Sequence, residues 1–205
     1  MLFDYKEMIE IYGTDYKLKR AISSKQVYRI ESGIYSDGKD NFTKYELALK
    51  KYPTAFLVKN SALHHIGFIQ VEPDTIHLGT ARNALRIHDK RIQQHFYSEL
   101  VNAGKRSSLI HKYESVNNNE IRFLNLSLLF RDLIRDRAQY ERETLLAILQ
   151  KFRDCQYFAD SNLDECDFLI KLLPDDELFD IVEAVCREAR VRKWLLDFEK
   201  NLDLE

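Results

Sequence analysis

The chain has 205 residues, of which 45% are hydrophobic and 31% are charged. This composition is typical of a folded globular protein and excludes a disordered chain. The sequence contains no apolar run of the roughly 18 residues that a membrane span needs, and its first residues, MLFDYKEMIE, lack the apolar core of a signal peptide. We therefore expect a cytoplasmic protein of one or two domains.

The two parts of the chain carry opposite charge. Residues 1–112 hold 18 Lys and Arg against 12 Asp and Glu, whereas residues 113–205 hold 13 against 21. The nine acidic residues of segment 160–183 have only Lys171 to offset them. We expect the two parts to face different partners, and nucleic acid is the natural partner of the basic part.

The N-terminal residues predict two short helices. Asp4 followed by Glu7 is typical of a capping box, and the helix that it begins ends at Gly13. Thr14 then caps a second helix, whose apolar stripe faces the core. That stripe consists of Leu18, Ala21 and Ile22.

The residues after these helices predict a hairpin. QVYRIESGIYS is typical of a strand, a tight turn at Ser32-Gly33 and a second strand. Two helices followed by a hairpin is the order of a winged helix-turn-helix, in which the second helix enters the major groove of DNA. We therefore assign residues 1–40 to a winged helix-turn-helix DNA-binding domain. Segment 37–41, DGKDN, has the composition of a linker.

Residues 41–125 predict a small region of mixed helices and strands. A helix beginning near Phe42 must stop before Pro53, because proline disfavours helical geometry in the preceding residue. AFLV at 55–58 predicts a buried strand, and Asn60 predicts the cap of a short helix. Further strands are predicted for FIQVE, TIHLGT, IQQHFYSE, SLIHKYESV and EIRFLN.

Residues 126–205 have a helical hydrophobic period. They predict several helices, one of them near 163–172 and a long one over 176–201. The predicted fold class is therefore α+β, with an N-terminal winged helix-turn-helix, a small α/β region over 41–125 and a helical C-terminus. Residues 41–205 together form the second predicted domain.

The chain lacks the common signatures of catalytic, metal and nucleotide sites. It contains no phosphate-binding glycine loop, no H-E-x-x-H pair and no G-x-S-x-G elbow. Its six histidines include no i, i+4 pair, and its three cysteines, at 155, 166 and 186, include no C-x-x-C pair. We expect reduced cysteines, no cofactor, no bound metal and no enzymatic activity.

The second predicted helix has the polar surface of a recognition helix. Residues 11–30 carry five basic residues and one acid, Asp15. Opposite the apolar stripe lie cations suited to phosphates, and polar groups suited to base edges. A solvated basic face is the simpler alternative, since such clusters are common. The candidate DNA contacts on this helix and the hairpin are Tyr16, Lys17, Lys19, Arg20, Ser23, Ser24, Lys25 and Arg29.

A second basic cluster lies in residues 81–106, where six cations stand against Asp89 and Glu99. On the same side as the recognition helix, these cations would extend the phosphate contacts or help to bend the DNA. The alternative is again a solvated surface. The six are Arg82, Arg86, Lys90, Arg91, Lys105 and Arg106.

Three stretches of the sequence resemble one known family. They are YRIESGIYSD at 28–37, YPTAFLVKNSALHHIGF at 52–68 and PDTIHLGTARNALRIHDKRIQQHFY at 73–97. Their order and spacing are similar to those of the AbiEi-type antitoxins of bacterial AbiE abortive-infection systems, which are type IV toxin–antitoxin systems for phage defence. The resemblance covers about half of the chain.

The resemblance implies an antitoxin that also binds its own operator, as double-stranded DNA, and represses its own transcription. It implies a C-terminal antitoxin domain and a nucleotidyltransferase-like toxin from the neighbouring gene, with no stable complex between the two proteins. The chain departs from the family pattern because its helix-turn-helix starts almost at Met1, without a preceding third helix. The helix that contains Tyr45, Leu49 and Tyr52 is expected to cover the face thus exposed.

Two other functions fit the same sequence. The first is a protein-interaction module that does not bind DNA and holds a basic partner on the acidic surface of segment 160–183. The second is an enzyme that uses the histidines between residues 64 and 111, with nucleic acid as a candidate substrate. Salt-dependent binding to the upstream DNA favours the antitoxin repressor. Stable co-purification with a neighbouring gene product favours the interaction module, and metal content or loss of an activity on His64→Ala or His65→Ala is required for the enzyme.

Overall fold

The protein has an α+β fold. The computed structural model describes residues 1–98, 110–155, 180 and 182–188. These residues contain helices and two β-sheets, one of three strands and one of five. The predicted α+β class is confirmed.

The chain divides into two compact units. The first comprises Met1–Leu57 and Asp74–Phe123, and the second comprises Val58–Pro73 and Leu124–Glu205. Residues 1–40, which we assigned to a DNA-binding domain, lie in the first unit together with the residues that follow them. Their assignment to a separate domain stays a prediction.

The first predicted helix forms with its predicted caps. In α1 (Tyr5–Tyr12), an Asp4 carboxylate oxygen accepts from the Glu7 amide at 2.9 Å, and a Glu7 carboxylate oxygen accepts from the Asp4 amide at 2.6 Å. Gly13 ends the helix in the left-handed conformation, at φ 77°, which glycine adopts without steric cost. The capping-box prediction is confirmed.

The second helix and the hairpin also form where the sequence predicts them. Thr14 caps α2 (Asp15–Ser23) through its hydroxyl oxygen. Strands β2 (Tyr28–Glu31) and β3 (Ile34–Ser36) pair antiparallel. The turn between them passes through Gly33 at φ 77°, a conformation that strongly favours glycine.

One apolar cluster holds the two helices to the hairpin. Its members are at most 6% exposed, and they are Met8, Leu18, Ala21, Val27 and Tyr35. Because Leu18 is 1% exposed in this cluster, truncation to alanine should cost about 2–5 kcal/mol of folding free energy. The apolar side of α2 is thus buried in the core, and its other side faces solvent.

A strand that the sequence did not predict precedes α1. Strand β1 (Leu2–Asp4) pairs antiparallel with β3, so the first sheet has the order β1-β3-β2. Helix α3 (Lys44–Lys51) packs against β1, and Lys50 Nζ binds a Glu7 carboxylate oxygen of α1 at 2.6 Å. The helix that we expected to cover the first two helices therefore contacts β1 and α1.

A buried carboxylate joins α3 to a turn of the second sheet. Glu46 is 2% exposed and forms a capping box with Thr43. It accepts hydrogen bonds from the Ser115 hydroxyl and from Asn117 Nδ2. Burial by itself raises the pKa of Glu46, but the hydrogen bonds from Ser115 and from the Thr43 amide outweigh it and lower that pKa.

The second sheet has the order β6-β5-β4-β8-β7. Strand β4 pairs antiparallel with β5 and parallel with β8, and β5 pairs parallel with β6. The strands are β4 (Phe56–Leu57), β5 (Ile76–Ala81), β6 (Ile92–Tyr97), β7 (Ile110–Glu114) and β8 (Glu120–Leu124). Four of the five strands predicted after residue 67 are therefore confirmed.

The strand predicted for FIQVE, residues 68–72, is wrong. These residues form bends after helix α4 (Lys59–His65). The amides of Phe68 and Ile69 both donate to the Leu63 carbonyl in the last turn of that helix, at 2.7 and 3.3 Å. Because the ends of helices leave carbonyls to be satisfied, these amides close α4 instead of joining a strand ladder.

Asn60 does not cap α4, and this prediction is also wrong. Val58 occupies the N-cap position, without a side-chain hydrogen bond to the helix. Asn60 lies inside the helix and accepts a hydrogen bond from the Tyr140 hydroxyl. A tertiary partner in the second unit therefore uses the side chain that the sequence predicts as a local cap.

The second unit is helical in its described part. Helix α5 (Leu126–Arg135), a short 3-10 turn and helix α6 (Arg142–Asp154) follow one another, and residues 182–188 are helical. Phe152 packs edge-on against Phe68 and Phe130, with ring centroids 4.8 and 5.0 Å apart. No helix in the described ranges has the length and apolar character to cross a membrane.

Some predictions concern residues outside the described ranges. These are the helix near 163–172, most of the helix over 176–201 and most of the acidic segment 160–183. Lys105 and Arg106 of the second basic cluster also lie outside them.

Candidate nucleic-acid interface

Helix α2 presents a polar face to solvent. Leu18 and Ala21 are 1% and 3% exposed, whereas Tyr16 is 75% exposed. This division follows from the helical period, which places residues three and four apart on one side. We call the exposed set the polar face of α2, and it consists of Tyr16, Lys17, Lys19, Arg20, Ser23 and Ser24.

Local interactions within the polar face are weak. Lys19 Nζ lies 2.7 Å from an Asp15 carboxylate oxygen one turn earlier, and this hydrogen bond raises the pKa of Lys19. Both side chains are exposed, so water and salt screen the pair. Lys19 can therefore exchange Asp15 for a phosphate at little cost.

The two serines are hydrogen-bonded within their own helix. Ser23 Oγ donates to the Lys19 carbonyl at 3.0 Å, and Ser24 Oγ donates to the Ala21 carbonyl at 3.1 Å. Each hydroxyl oxygen still has capacity to accept, but donation to DNA requires rotation of the hydroxyl. The sequence pattern does not reveal this local use.

Lys25 stands in an unusual backbone conformation directly after α2. Its φ is 59°, the left-handed region in which glycine is the common residue at the end of a helix. The Lys25 amide donates to Ile22 O and the Gln26 amide to Ala21 O, each at 3.0 Å, so the helix still ends in a regular motif. The exposed Lys25 side chain thus lies between the cations of α2 and the hairpin along the chain. Arg29 is exposed on β2 of that hairpin.

Four cations of the second basic cluster lie in the connection between β5 and β6. These parallel strands are joined by residues 82–91, which we call the crossover loop, without the helix that usually makes such a connection. Arg82, Arg86 and Lys90 are exposed there. Within the described ranges, Asp89 and Arg91 are the only residues of this loop that form ion pairs.

Four charged side chains lock the end of this loop to the hairpin. We call Glu31, Lys51, Asp89 and Arg91 the ion clamp. Arg91 Nη2 lies 2.8 Å from Glu31 and 2.8 Å from Asp89, and Lys51 Nζ lies 2.8 Å from Glu31 and 3.1 Å from Asp89. Two cations thus face two carboxylates, and the clamp joins β2, the end of α3 and the crossover loop.

The clamp shifts the titration of its members. Hydrogen bonds from Arg91, and then from Lys51, hold the pKa of Asp89 far below its usual range. Hydrogen bonds that Lys51 and Arg91 donate lower the pKa of Glu31, and the hydrogen bonds that Arg91 donates to Asp89 and Glu31 raise the pKa of Arg91. The Arg91 side chain is itself 59% exposed, but two carboxylates compensate its charge, whereas no ion pair joins Arg82, Arg86 or Lys90 within the described ranges.

One side chain fixes the middle of the crossover loop. Gln94 of β6 donates through Nε2 to Thr80 Oγ1 at 2.8 Å and to the Leu85 carbonyl at 3.0 Å. Its Oε1 accepts from the Ile87 amide at 2.8 Å. The loop is thus held against the sheet on both sides of Arg86.

A groove of about 600 Å³ lies beside this loop. Its walls are residues 51–56, part of the crossover loop, and Thr80, Ala81 and Ile110. The lining includes Tyr52 and Arg86 together with several apolar side chains. The groove therefore offers an aromatic ring, a cation and apolar side chains along its walls.

The histidines do not form a metal site within the described ranges. His77 Nδ1 and His95 Nε2 lie 3.0 Å apart on β5 and β6, and their rings stack. No group of three or more His, Cys, Asp and Glu side chains in the described part of the chain is placed to hold a metal ion. A metal bound by these residues would need ligands from elsewhere.

Sequence reasoning did not find the side chains that organise the second basic cluster. Glu31, Lys51, Gln94 and Leu85 gave no signal, because their roles depend on strands that are distant in sequence. The sequence shows Asp89 and Arg91 as charged residues, but it does not show that they form an ion pair.

Comparisons with known proteins leave the function to be argued from the residues. No family model matches the chain, and no curated protein matches it. Among solved structures, the chain is similar to the RV2827C protein from Mycobacterium tuberculosis, at 12% sequence identity and a TM-score of 0.45. That similarity covers 85% of this chain and 69% of the other.

Proposed function

We propose that this protein is an antitoxin of the AbiEi type that binds its own operator, as double-stranded DNA, and represses its own transcription. The observation that carries the DNA-binding part is the polar face of α2. Its cations and polar groups are exposed while Leu18 and Ala21 of the same helix are buried. A helix of this kind can enter the major groove without disturbing its own core.

The elements around α2 support a winged helix-turn-helix. Helices α1 and α2 are joined by a turn through Gly13, and the β2–β3 hairpin follows directly. In a winged helix, the hairpin lies against the DNA backbone beside the recognition helix. Exposed Lys25 and Arg29 supply cations at this place, and backbone phosphates are their natural ligands.

The antitoxin part of the proposal rests on the resemblance of residues 28–37, 52–68 and 73–97 to the AbiEi-type antitoxins. The functional partner would be a nucleotidyltransferase-like toxin encoded by the adjacent gene. The charge difference between residues 1–112 and 113–205 supports a division of labour, in which the basic part binds DNA and the acidic part protects the cell.

A gel-shift titration and a rescue assay test the two parts separately. The full chain is titrated onto a duplex of the DNA directly upstream of its own reading frame, and onto an unrelated duplex of equal length, at several salt concentrations. We expect preferential binding upstream that weakens steeply with salt, because phosphate contacts release counterions. Equal binding to both duplexes, or none, would overturn the repressor.

In the rescue assay, the chain is expressed from a foreign promoter together with the neighbouring toxin. We expect growth to be restored. Failure to protect against any neighbouring toxin contradicts the antitoxin assignment, whatever the DNA titration shows.

A further inference from the structure

We call residues 82–86 of the crossover loop its tip, and this tip carries a highly exposed apolar side chain between two arginines. Leu85 is 92% exposed, and Arg82 and Arg86 are exposed on either side of it. Residues 75–88 contain no acidic residue. The tip therefore combines one exposed apolar side chain, Leu85, with a positively charged side chain before it and another after it in the sequence.

The loop holds this tip in place. The Leu85 carbonyl and the Ile87 amide are both hydrogen-bonded by Gln94, and the Ala84 amide donates to the Ala81 carbonyl at 2.9 Å. The ion clamp fixes the far end of the loop. A side chain presented by a fixed loop loses less conformational freedom when it contacts a partner, so it is suited to insertion.

We propose that Leu85 is a wedge that enters the minor groove of the bound DNA and kinks it. Arg82 and Arg86 bind the phosphates that border the groove on either side of the inserted leucine, and Lys90 binds a further phosphate. This inference rests on the proposed DNA binding and adds a second mode of contact to the major-groove contact of α2.

The chemistry of the minor groove fits these residue types. Its negative potential attracts arginine, and apolar side chains can insert between base steps and bend the duplex. A lone exposed leucine is ordinary on a protein surface. The arginines on both sides favour a polyanion over an apolar protein surface, because a protein partner of that kind would have to desolvate both cations.

The experiment measures the bend of the duplex in the complex. The probe is the DNA directly upstream of the reading frame, with the binding site moved from the middle to the end of a fragment of constant length, so that gel mobility reports the bend. The full chain and the variants Leu85→Ala and Leu85→Phe are compared. We expect the wild type and Leu85→Phe to bend the DNA. We expect Leu85→Ala to lose the bend and to bind roughly tenfold more weakly, since burial of the leucine is offset in part by unstacking.

Val116→Ala is the matched control. Val116 is 100% exposed, follows β7 and has no cation beside it in the sequence. This variant should bend and bind DNA as the wild type does. Leu85 is so exposed that its replacement should leave the thermal midpoint unchanged, which a melting curve checks.

The outcomes separate this inference from the proposed function. An equal bend with wild type and Leu85→Ala, or wild-type binding without a bend, overturns the wedge and leaves the repressor intact. No binding by the wild type overturns both. If Leu85→Ala keeps the bend but loses protection against the toxin, the loop tip contacts a protein and the wedge is wrong.

Discussion

Helix α2 and the crossover loop are both basic, but their cations have different surroundings. On α2, Lys17 and Arg20 are exposed, and Lys19 has only a solvent-screened partner in Asp15. On the crossover loop, Arg86 is exposed whereas Arg91 faces two carboxylates of the ion clamp. Arginines five residues apart in one loop therefore have different roles.

This difference shows that the net charge of a sequence segment does not tell how many of its cations are free of carboxylate partners and able to bind an anion. Arg91 contributes to the positive balance of the second cluster, yet Glu31 and Asp89 compensate it. The clamp holds the loop in position, and the exposed cations without a carboxylate partner produce the positive electrostatic potential of the loop. We therefore expect variants of α2, of the loop tip and of the clamp to affect different measured quantities.

The largest effect is expected from the double variant Lys19→Ala/Arg20→Ala. It removes two cations of the polar face, so affinity for the upstream DNA should fall roughly 30- to 1,000-fold in a gel-shift titration. Folding should hardly change, because both side chains are exposed. If antitoxicity resides in the acidic part of the chain, this variant should still rescue growth from a foreign promoter.

Lys112→Ala is the control, since it removes an exposed cation from β7. Its DNA affinity should match that of the wild type. Undiminished binding by the double variant would mean that α2 is not the recognition helix, and lost protection with intact folding would mean that the two functions are not separable.

The next effect is expected from neutralising the crossover loop with Arg82→Ala, Arg86→Ala and Lys90→Ala together. Phosphate contacts carry no sequence information, so binding to all duplexes should weaken alike. The slope of log affinity against log salt concentration should become shallower by about 2–3, since each lost phosphate contact contributes about 0.9. An unchanged slope would show that the loop lies away from the DNA.

A smaller effect, on the free energy of unfolding instead of DNA affinity, is expected from Arg91→Ala. This change leaves two carboxylates of the clamp with Lys51 alone, and it should lower the free energy of unfolding by about 1 kcal/mol, a value discounted for the exposure of Arg91. Arg86→Ala is the matched control and should stay within about 0.5 kcal/mol of the wild type. Urea denaturation compares them, and equal losses would contradict the distinction between the two arginines.

The smallest effect is expected in the acid response of Asp89→Asn. The pKa of Asp89 is lower in the folded protein than in the unfolded chain, so its ionised form stabilises the fold above the unfolded pKa. That stabilisation is lost as the pH falls through the folded pKa. The wild type should exceed the variant by about 1 kcal/mol or less at neutral pH, and this difference should shrink below about pH 4. Urea denaturation over a pH series measures it, and a difference that grows towards acid would contradict the clamp.

The elements with local signals were predictable. The capping box of α1, the Thr14 cap of α2 and the Gly33 turn depend on residues within a few positions of each other. Pro53 sets the end of α3 through an equally local effect, because proline disfavours helical geometry in the preceding residue. Such elements follow from short-range sterics and hydrogen bonds, which the sequence displays directly.

Elements that depend on distant partners were not predictable. Strand β1 exists because residues 2–4 pair with the edge of β3. Three residues are too few for the sequence to show the alternation of a strand. FIQVE has the alternation of a strand, but its first amides close α4. Asn60 has the side chain of a cap, but Tyr140 binds it inside the helix.

For the candidate interface, the sequence alone determined which residues are cations and which side of α2 is apolar. Helical geometry then assigns Leu18 and Ala21 to the core and Tyr16 to solvent without further information. Only the tertiary structure decided that two carboxylates compensate the charge of Arg91, and that Leu85 lies exposed in a loop held by Gln94 and the ion clamp. The physical reason is that electrostatic pairing and exposure depend on distances through space, and Glu31 is brought to Arg91 by the pairing of strands far apart in the chain.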